Sequence, residues 1–277
     1  MSIMCCVYVP EGIVMAADSR LTRTKPWEAV EPPVNEGQPK LVVLSNTTFT
    51  SSDNTQKVLL LKKVGVGISF CGNAIIGGAT VADYIRRFEI DKVIETDTTE
   101  EVAKKLAEHY GQTETHFFVC GYDEDVPYVF DVFGDTAKRT NIMDTVQVAS
   151  SAKITADDGD REPEMPSDVG APENLKDAPS GEEFEQPERN LVRYGANWAG
   201  QKTAITKVIN NPPVLNADWV TMPLKDAIDF AEFLIDTTIK YERFCDDIQT
   251  CGGDIDILVI TKDEAFWKQH KIYNPIK

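Results

Sequence analysis

Gly12-Ile13-Val14-Met15-Ala16-Ala17-Asp18-Ser19-Arg20 is the stretch from which the fold is read. Six apolar or small residues run without a charge into Asp18-Ser19-Arg20, a polar cluster that ends the run. A second apolar run, residues 5–9, precedes it, and only Pro10-Glu11 lies between them. Two short apolar runs divided by a two-residue polar break read as a β-hairpin.

Outward from this hairpin, residues 57–61 and 64–71 form another expected strand pair, turning near Lys62-Lys63. Over residues 74–88, Ile75, Ala79, Ala82 and Ile85 recur at helical spacing and predict a helix. Thr98 followed by Glu101 is a capping-box pattern, and it opens a helix carrying Val102, Leu106 and Tyr110. Residues 116–122 and 128–133 read as strands around the polar turn Asp123-Glu124-Asp125. Residues 202–209 predict a short helix, and Pro223 starts a long one. Leu224, Ala227, Ile228, Ala231, Leu234, Ile235, Thr238 and Ile239 give that helix one continuous apolar stripe. A last strand, 255–260, is followed by a polar tail. Strands, helices, strands, then helices and a strand make an α+β order with helices layered on sheets.

Two stretches interrupt the pattern and read as insertions in a single domain spanning residues 1–277. One, about 24–55, is rich in Pro, Ser, Thr and Asn and holds one strand-like run, Leu41-Val42-Val43-Leu44. The other, about 155–188, holds twelve acidic residues against Arg161 and Lys176, together with five prolines. It accounts for more than half of the net charge of −17 and has too few large apolar residues to offset the cost of ordering, so a mobile loop is expected there.

Composition narrows the function classes. An acidic chain without a basic stripe is a poor partner for nucleic acid or for anionic membranes. No run approaches the roughly 20 apolar residues of a membrane span. The apolar start lacks a basic residue before Arg20 and is broken by Pro10-Glu11-Gly12, unlike a secretory signal, so a cytoplasmic protein is expected. The six cysteines form no C-x-x-C pair and read as buried thiols, and the three histidines lack metal-ligand spacing. Gly65-x-Gly67 with Gly72 fails the G-x-G-x-x-G spacing of a dinucleotide site. Neither a metal nor an organic cofactor is expected.

Three segments, in order, resemble the β-type subunits of the proteasome and their smaller bacterial relatives. They are residues 12–20, residues 56–61 with Phe70-Cys71-Gly72-Asn73-Ala74, and Cys251-Gly252-Gly253-Asp254-Ile255-Asp256-Ile257-Leu258. Cys120-Gly121-Tyr122-Asp123 and Phe130-Asp131-Val132-Phe133-Gly134 match the same family's central strand pair. The resemblance implies an N-terminal-nucleophile (Ntn) hydrolase fold, an αββα sandwich of two antiparallel sheets between helical layers.

It also implies a site. In that family the nucleophile is the first mature residue and an aspartate follows sixteen positions later; counting back from Asp18 lands on Ser2, freed by removal of Met1. Serine here departs from the family's usual threonine and lacks the methyl that restricts χ1. The α-amine of Ser2 would serve as base, its affinity for protons lowered by a nearby lysine. Lys57 is the candidate, paired with Asp18, with Lys40, Lys62 and Lys63 as alternatives. Gly72 would supply an oxyanion N–H, with Arg20, Asp247 and Cys251 in support. Asp247 stands one residue early for the family's spacing, and Cys251 replaces a serine. For the family's other Ser-Gly turn the nearest counterpart is Ser150-Ser151. A longer trim to Cys5 or Cys6 would make a cysteine the nucleophile but would lose the sixteen-residue spacing.

The implied activity is hydrolysis of an amide bond in a peptide or protein. The implied partners are further copies of the chain, in a ring or helical array, and an ATPase unfoldase. The alternative is a catalytically inactive, structural member of the same fold.

Overall fold

The hairpin read from residues 5–17 is the centre of the molecule. In the computed structural model, which describes residues 2–31, 40–76, 78–111, 113–142, 192–209 and 217–271, β1 (Ile3–Val9) pairs antiparallel with β2 (Gly12–Ala17), and every side chain of both is buried. Because side chains alternate across a strand, the two strands serve two cores. Ile3, Cys5, Val7, Val9, Val14 and Ala16 face one layer of helices, while Met4, Cys6, Tyr8, Ile13, Met15 and Ala17 face a second sheet.

Two strands, β3 (Leu21–Glu31) and β4 (Lys40–Ser52), form an antiparallel ribbon of their own. Next come β5 (Val58–Leu61), β6 (Val66–Gly72) and the short pair β7 (Ile75–Ile76) and β8 (Ala79–Thr80). Helices α1 (Val81–Lys92) and α2 (Thr99–Tyr110) precede β9 (Thr115–Asp123), β10 (Val126–Phe133) and β11 (Thr136–Arg139). The chain continues with β12 (Gly195–Gly200), α3 (Thr203–Ile209), α4 (Leu224–Arg243), β13 (Asp256–Ile260) and β14 (Ala265–Gln269). One five-stranded sheet runs β12-β1-β2-β13-β14 and the other β11-β10-β9-β6-β5.

Three apolar cores stack these elements into four layers. Stripes on α1 and α2 pack on Leu61, Ile68, Phe70, Phe117, Val119 and neighbours of the second sheet. The opposite faces of that sheet, including Val58, Phe118, Cys120 and Val129, meet Met4, Cys6, Met15 and Leu258 of the first. On the far side of the first sheet, α4 lays down Ala227, Ile228, Ala231, Leu234 and Ile235, joined by Ile205 of α3. The arrangement is αββα, as expected from sequence. Among the described residues no helix is long and apolar enough to cross a membrane.

Several local readings change. The helix expected over 74–88 begins only at Val81: Gly78 takes φ +83, β7 and β8 pair, and Thr80 caps the helix by accepting from the Asp83 N–H at 3.2 Å. Ile75 fell on the helical period by coincidence and is exposed. The insertion at 24–55 is strand over most of its length: β4 contains the strand-like run Leu41–Leu44 and extends well beyond it through polar, Thr-rich residues. β12, whose sequence is Gly-Ala-Asn-Trp-Ala-Gly, has little strand propensity of its own and is extended because it pairs with β1 from Ile3↔Gly200 to Tyr8↔Gly195. The polar tail contains β14, an edge strand paired to β13. Compact units comprise Met1–Asn141 with Tyr194–Lys277, and separately Ile142–Arg193, where an antiparallel bridge joins Ile142 to Val192. The acidic segment 155–188 lies outside the described residues.

Candidate active site

The pairing of Met4 with Ala17 brings the residue after β2, Asp18, level with the start of β1. The Asp18 N–H donates to the Ile3 carbonyl at 3.3 Å, and the Ile3 N–H donates to Asp18 Oδ1 at 3.1 Å. On the other side of β2, β13 pairs Asp256 with Ala17, which sets the preceding Gly252-Gly253 turn against Asp18. There the Gly252 N–H donates to Asp18 Oδ2 at 3.0 Å, and the Arg20 N–H donates to the same oxygen at 3.0 Å.

The fourth donor comes from the opposing sheet. Lys57, just ahead of β5, is held by its carbonyl, which accepts from the Phe70 N–H, and its Nζ donates to Asp18 Oδ1 at 2.6 Å. Lys57 is 1% exposed and Asp18 0%. A carboxylate and an ammonium so deeply buried are tolerated only when paired and fully hydrogen-bonded, and four donors on two carboxylate oxygens meet that requirement. Of the other lysines considered, Lys62 is exposed, Lys63 donates to the carbonyls of Glu89, Ile90 and Val93 at the end of α1, and the side chain of Lys40 falls outside the description.

Ser2 is buried, at 6% exposure, immediately before β1. The peptide group joining it to Ile3 is gripped at both ends. Its N–H is the one bound to Asp18, and its carbonyl accepts from the Gln201 N–H at 2.7 Å. Gly200 permits this approach: it takes φ +97, and a Cβ there would stand 1.9 Å from the Ser2 oxygen. The turn Ala199-Gly200-Gln201 is therefore the loop that meets Ser2, while Ser150-Ser151 lies outside the described residues.

Gly72 closes β6 opposite Thr115, with φ +103, and a Cβ would come within 2.4 Å of the Glu114 carbonyl. Glycine is thus required at that strand end. Its neighbour Cys71 is buried, and burial, partly offset by the charge of Lys57, pushes its thiol up to about 12. Cys5 and Cys6 lie inside β1 facing opposite cores, and burial pushes both thiols far up. A thiolate nucleophile has no physical basis at either.

Arg20 reaches away from Asp18 and clamps Asp53 with two hydrogen bonds, Nε to Oδ1 at 2.6 Å and Nη2 to Oδ2 at 2.9 Å. This bond holds the Asp53 carboxyl below its usual range. The guanidinium lies on Gly252, where a Cβ would be 2.6 Å from Cζ. Ser19 completes the seam: its N–H donates to the Gly252 carbonyl at 2.9 Å and its hydroxyl to the Asp254 carbonyl.

Cys251 is fully buried, and burial pushes its thiol well up. Asp247 is exposed on the wall of a cleft of about 440 Å³ that also takes in Gln201, Tyr241, Cys245 and Thr250. The acid that grips the turn before Gly252 is instead Glu242, near the end of α4. Its Oε2 accepts from the N–H groups of Thr250 at 2.8 Å and Cys251 at 2.7 Å, and its Oε1 accepts from the Thr250 hydroxyl at 2.8 Å. The sequence carried a sign of this: Glu242 continues the buried stripe Leu234, Ile235, Thr238 at helical spacing, a place where an acid needs a reason.

Two antiparallel sheets enclosed by helical layers make the αββα fold of the Ntn hydrolases. Among solved structures, an Anbu (Gly-1) mutant from Hyphomicrobium sp. strain MC1 superposes with a TM-score of 0.54, covering 98% of this chain and 86% of that one, at 12% sequence identity. At that identity the likeness is one of fold. No protein-family model and no curated protein sequence matches the chain.

Proposed function

We propose that the protein is a proteasome-like Ntn amide hydrolase that acts on peptide bonds through Ser2 once Met1 is removed. The observation that carries this reading is the buried Lys57–Asp18 pair bonded to the amide that follows Ser2. A buried ion pair that spans two sheets is costly to form, and here its carboxylate is bonded to the amide directly after Ser2.

The chemistry follows from those positions. The α-amine of Ser2, a group that ordinarily titrates at about 7.7–8.0, takes the proton of the Ser2 hydroxyl directly or through one water. Lys57, of like charge to the protonated amine, lowers its affinity for protons and keeps it in the free-base form that accepts the hydroxyl proton. The Ser2 Oγ attacks the substrate carbonyl carbon, forming a C–O bond and an oxyanion that accepts from the Gly72 N–H. The protonated amine then gives its proton to the leaving nitrogen, the C–N bond breaks, and an ester remains on Ser2. Water, deprotonated by the same amine, hydrolyses the ester. Gly200 and Gln201 hold the Ser2 carbonyl and so orient the residue, while Arg20 holds the Gly252 turn.

The test is intact mass of freshly expressed protein before and after an epoxyketone or β-lactone probe. Loss of Met1 with one adduct that vanishes in Ser2→Ala supports the mechanism. Retained Met1 with no adduct sinks it and leaves the second reading, a structural subunit.

Self-association belongs to the same proposal. Large apolar side chains stand exposed on the outer helical layers: Ile90 on α1 and Ile94 beyond it, Phe233 on α4 and Phe244 at its end. Burying them between copies is favourable. Analytical ultracentrifugation giving a sharp monomer peak well above micromolar concentration would remove this part.

A further inference from the structure

We infer that Glu242 is a positioning residue for the Asp18–Lys57 pair, acting through the turn Thr250-Cys251-Gly252. As a helix residue Glu242 suits its place poorly. It lies in the last turn of α4, where an acidic side chain runs against the helix macrodipole, and it is 7% exposed. No lysine, arginine or histidine among the described residues forms an ion pair with it. All three described hydrogen bonds of its side chain go to Thr250 and Cys251.

That turn needs an outside anchor. Gly252 and Gly253 bring no side chains, and Gly253 is glycine by necessity. A Cβ on Gly252 would meet the Arg20 guanidinium, and Gly253, at φ +74, would place one 2.4 Å from the Asp53 carbonyl. Glycine pairs are the most freely moving part of any loop. Ser19 and Arg20 bind carbonyls of the turn, at Gly252, Asp254 and Gln249, and Glu242 is the side chain that holds its N–H groups at Thr250 and Cys251. One residue on, the Gly252 N–H supplies one of the two donors on Asp18 Oδ2. If the turn drifts, Asp18 loses that donor, the carboxylate is free to rotate, and the 2.6 Å bond from Lys57 to its other oxygen goes with it. A local break in helix preference is thus matched by a gain at the site, a pattern found where function and local rules conflict.

Two substitutions separate this role from a general contribution to stability. Glu242→Gln keeps the acceptor set: its amide oxygen accepts from both N–H groups, and its amide nitrogen donates to the Thr250 hydroxyl oxygen. Glu242→Asp keeps the acid but withdraws it by one methylene, out of reach of the turn. The first readout is hydrogen exchange of the Gly252 amide by NMR, taken in a Ser2→Ala background and referenced to Ile257 in β13. Glu242→Asp is expected to speed Gly252 exchange about tenfold or more relative to Ile257, and Glu242→Gln to leave it within about threefold.

The second readout rests on the proposed hydrolase reading: the rate of Ser2 acylation by the β-lactone, per folded molecule. It is expected to fall about tenfold to a hundredfold in Glu242→Asp, since small misplacements at a reacting centre cost that much, and to recover in Glu242→Gln. Equal protection of Gly252 in a folded Glu242→Asp protein overturns the inference. So does a slowed Glu242→Gln that matches Glu242→Asp. If wild type takes no label at all, the hydrolase reading fails, and the exchange measurement still decides whether Glu242 positions Asp18.

Discussion

Replacing Lys57 by methionine tests the physical core of the site without reference to activity. Methionine fills most of the lysine stem's volume, so the change removes a charge rather than a wall. Asp18 would keep three N–H donors, from Ile3, Arg20 and Gly252, but would stand at 0% exposure with no cation. Breaking a buried ion pair on one side costs about 3–5 kcal/mol, against about 0.2–1 kcal/mol for an exposed pair. At about 2–4 °C per kcal/mol for a chain of this size, the melting midpoint should fall by about 6–20 °C. The assay is thermal and urea unfolding of wild type, Lys57→Met, Asp18→Asn and the double variant at neutral pH. Each single variant strands the other partner, whereas the double variant removes both charges, so the costs should fall short of additivity by at least about 2 kcal/mol. A Lys57→Met cost below about 1 kcal/mol, or simple additivity in the double variant, would refute the account of this pair.

Three further outcomes follow from the geometry. Gly200→Ala places a Cβ 1.9 Å from the Ser2 carbonyl oxygen at φ +97, so it should cost about 2–4 kcal/mol in urea unfolding and abolish probe labelling of Ser2. Thr98→Ala removes the side chain that accepts from the Glu101 N–H at the start of α2 and should cost about 1 kcal/mol, read as a lowered melting midpoint. For Asp97, burial works to raise the carboxyl, but hydrogen bonds from Lys105 and the Ile94 N–H outweigh it and hold it below the ordinary 3.8. A carboxyl held low contributes stability that is present above the unfolded value and lost as pH falls through the folded one. The difference in melting midpoint between wild type and Lys105→Met should therefore be widest near neutrality and should close as the pH falls well below the ordinary 3.8.

The legible part of this protein was its continuous apolar patterning. β1, β2, β5, β6, β9, β10 and β13 were readable because each is buried on one or both faces and must be written in Val, Ile, Leu, Phe and Cys. α2 was readable from Thr98 and Glu101, which cap it by local chemistry, and α4 from a stripe of eight positions. The pairing of Asp18 with Lys57 was anticipated only through resemblance; thirty-nine residues separate them, and nothing in either local sequence calls for the other.

What the sequence alone determined were the elements whose stability is local or whose burial is continuous, because a strand with no polar face or a capped amphipathic helix admits few other conformations. What only the tertiary structure decided were the elements that borrow their shape: β12, extended because β1 offers it partners; the ribbon of β3 and β4, extended because the two strands pair with each other; and the start of α1, delayed by a glycine turn. The site falls in the same class. Ser2, Asp18, Lys57, Gly200, Glu242 and Gly252 are brought together by two sheets and a helix end, and their hydrogen bonds exist only once the layers are stacked. A residue such as Glu242 opposes the preference of its own helix, so its reason is visible only in the turn it holds.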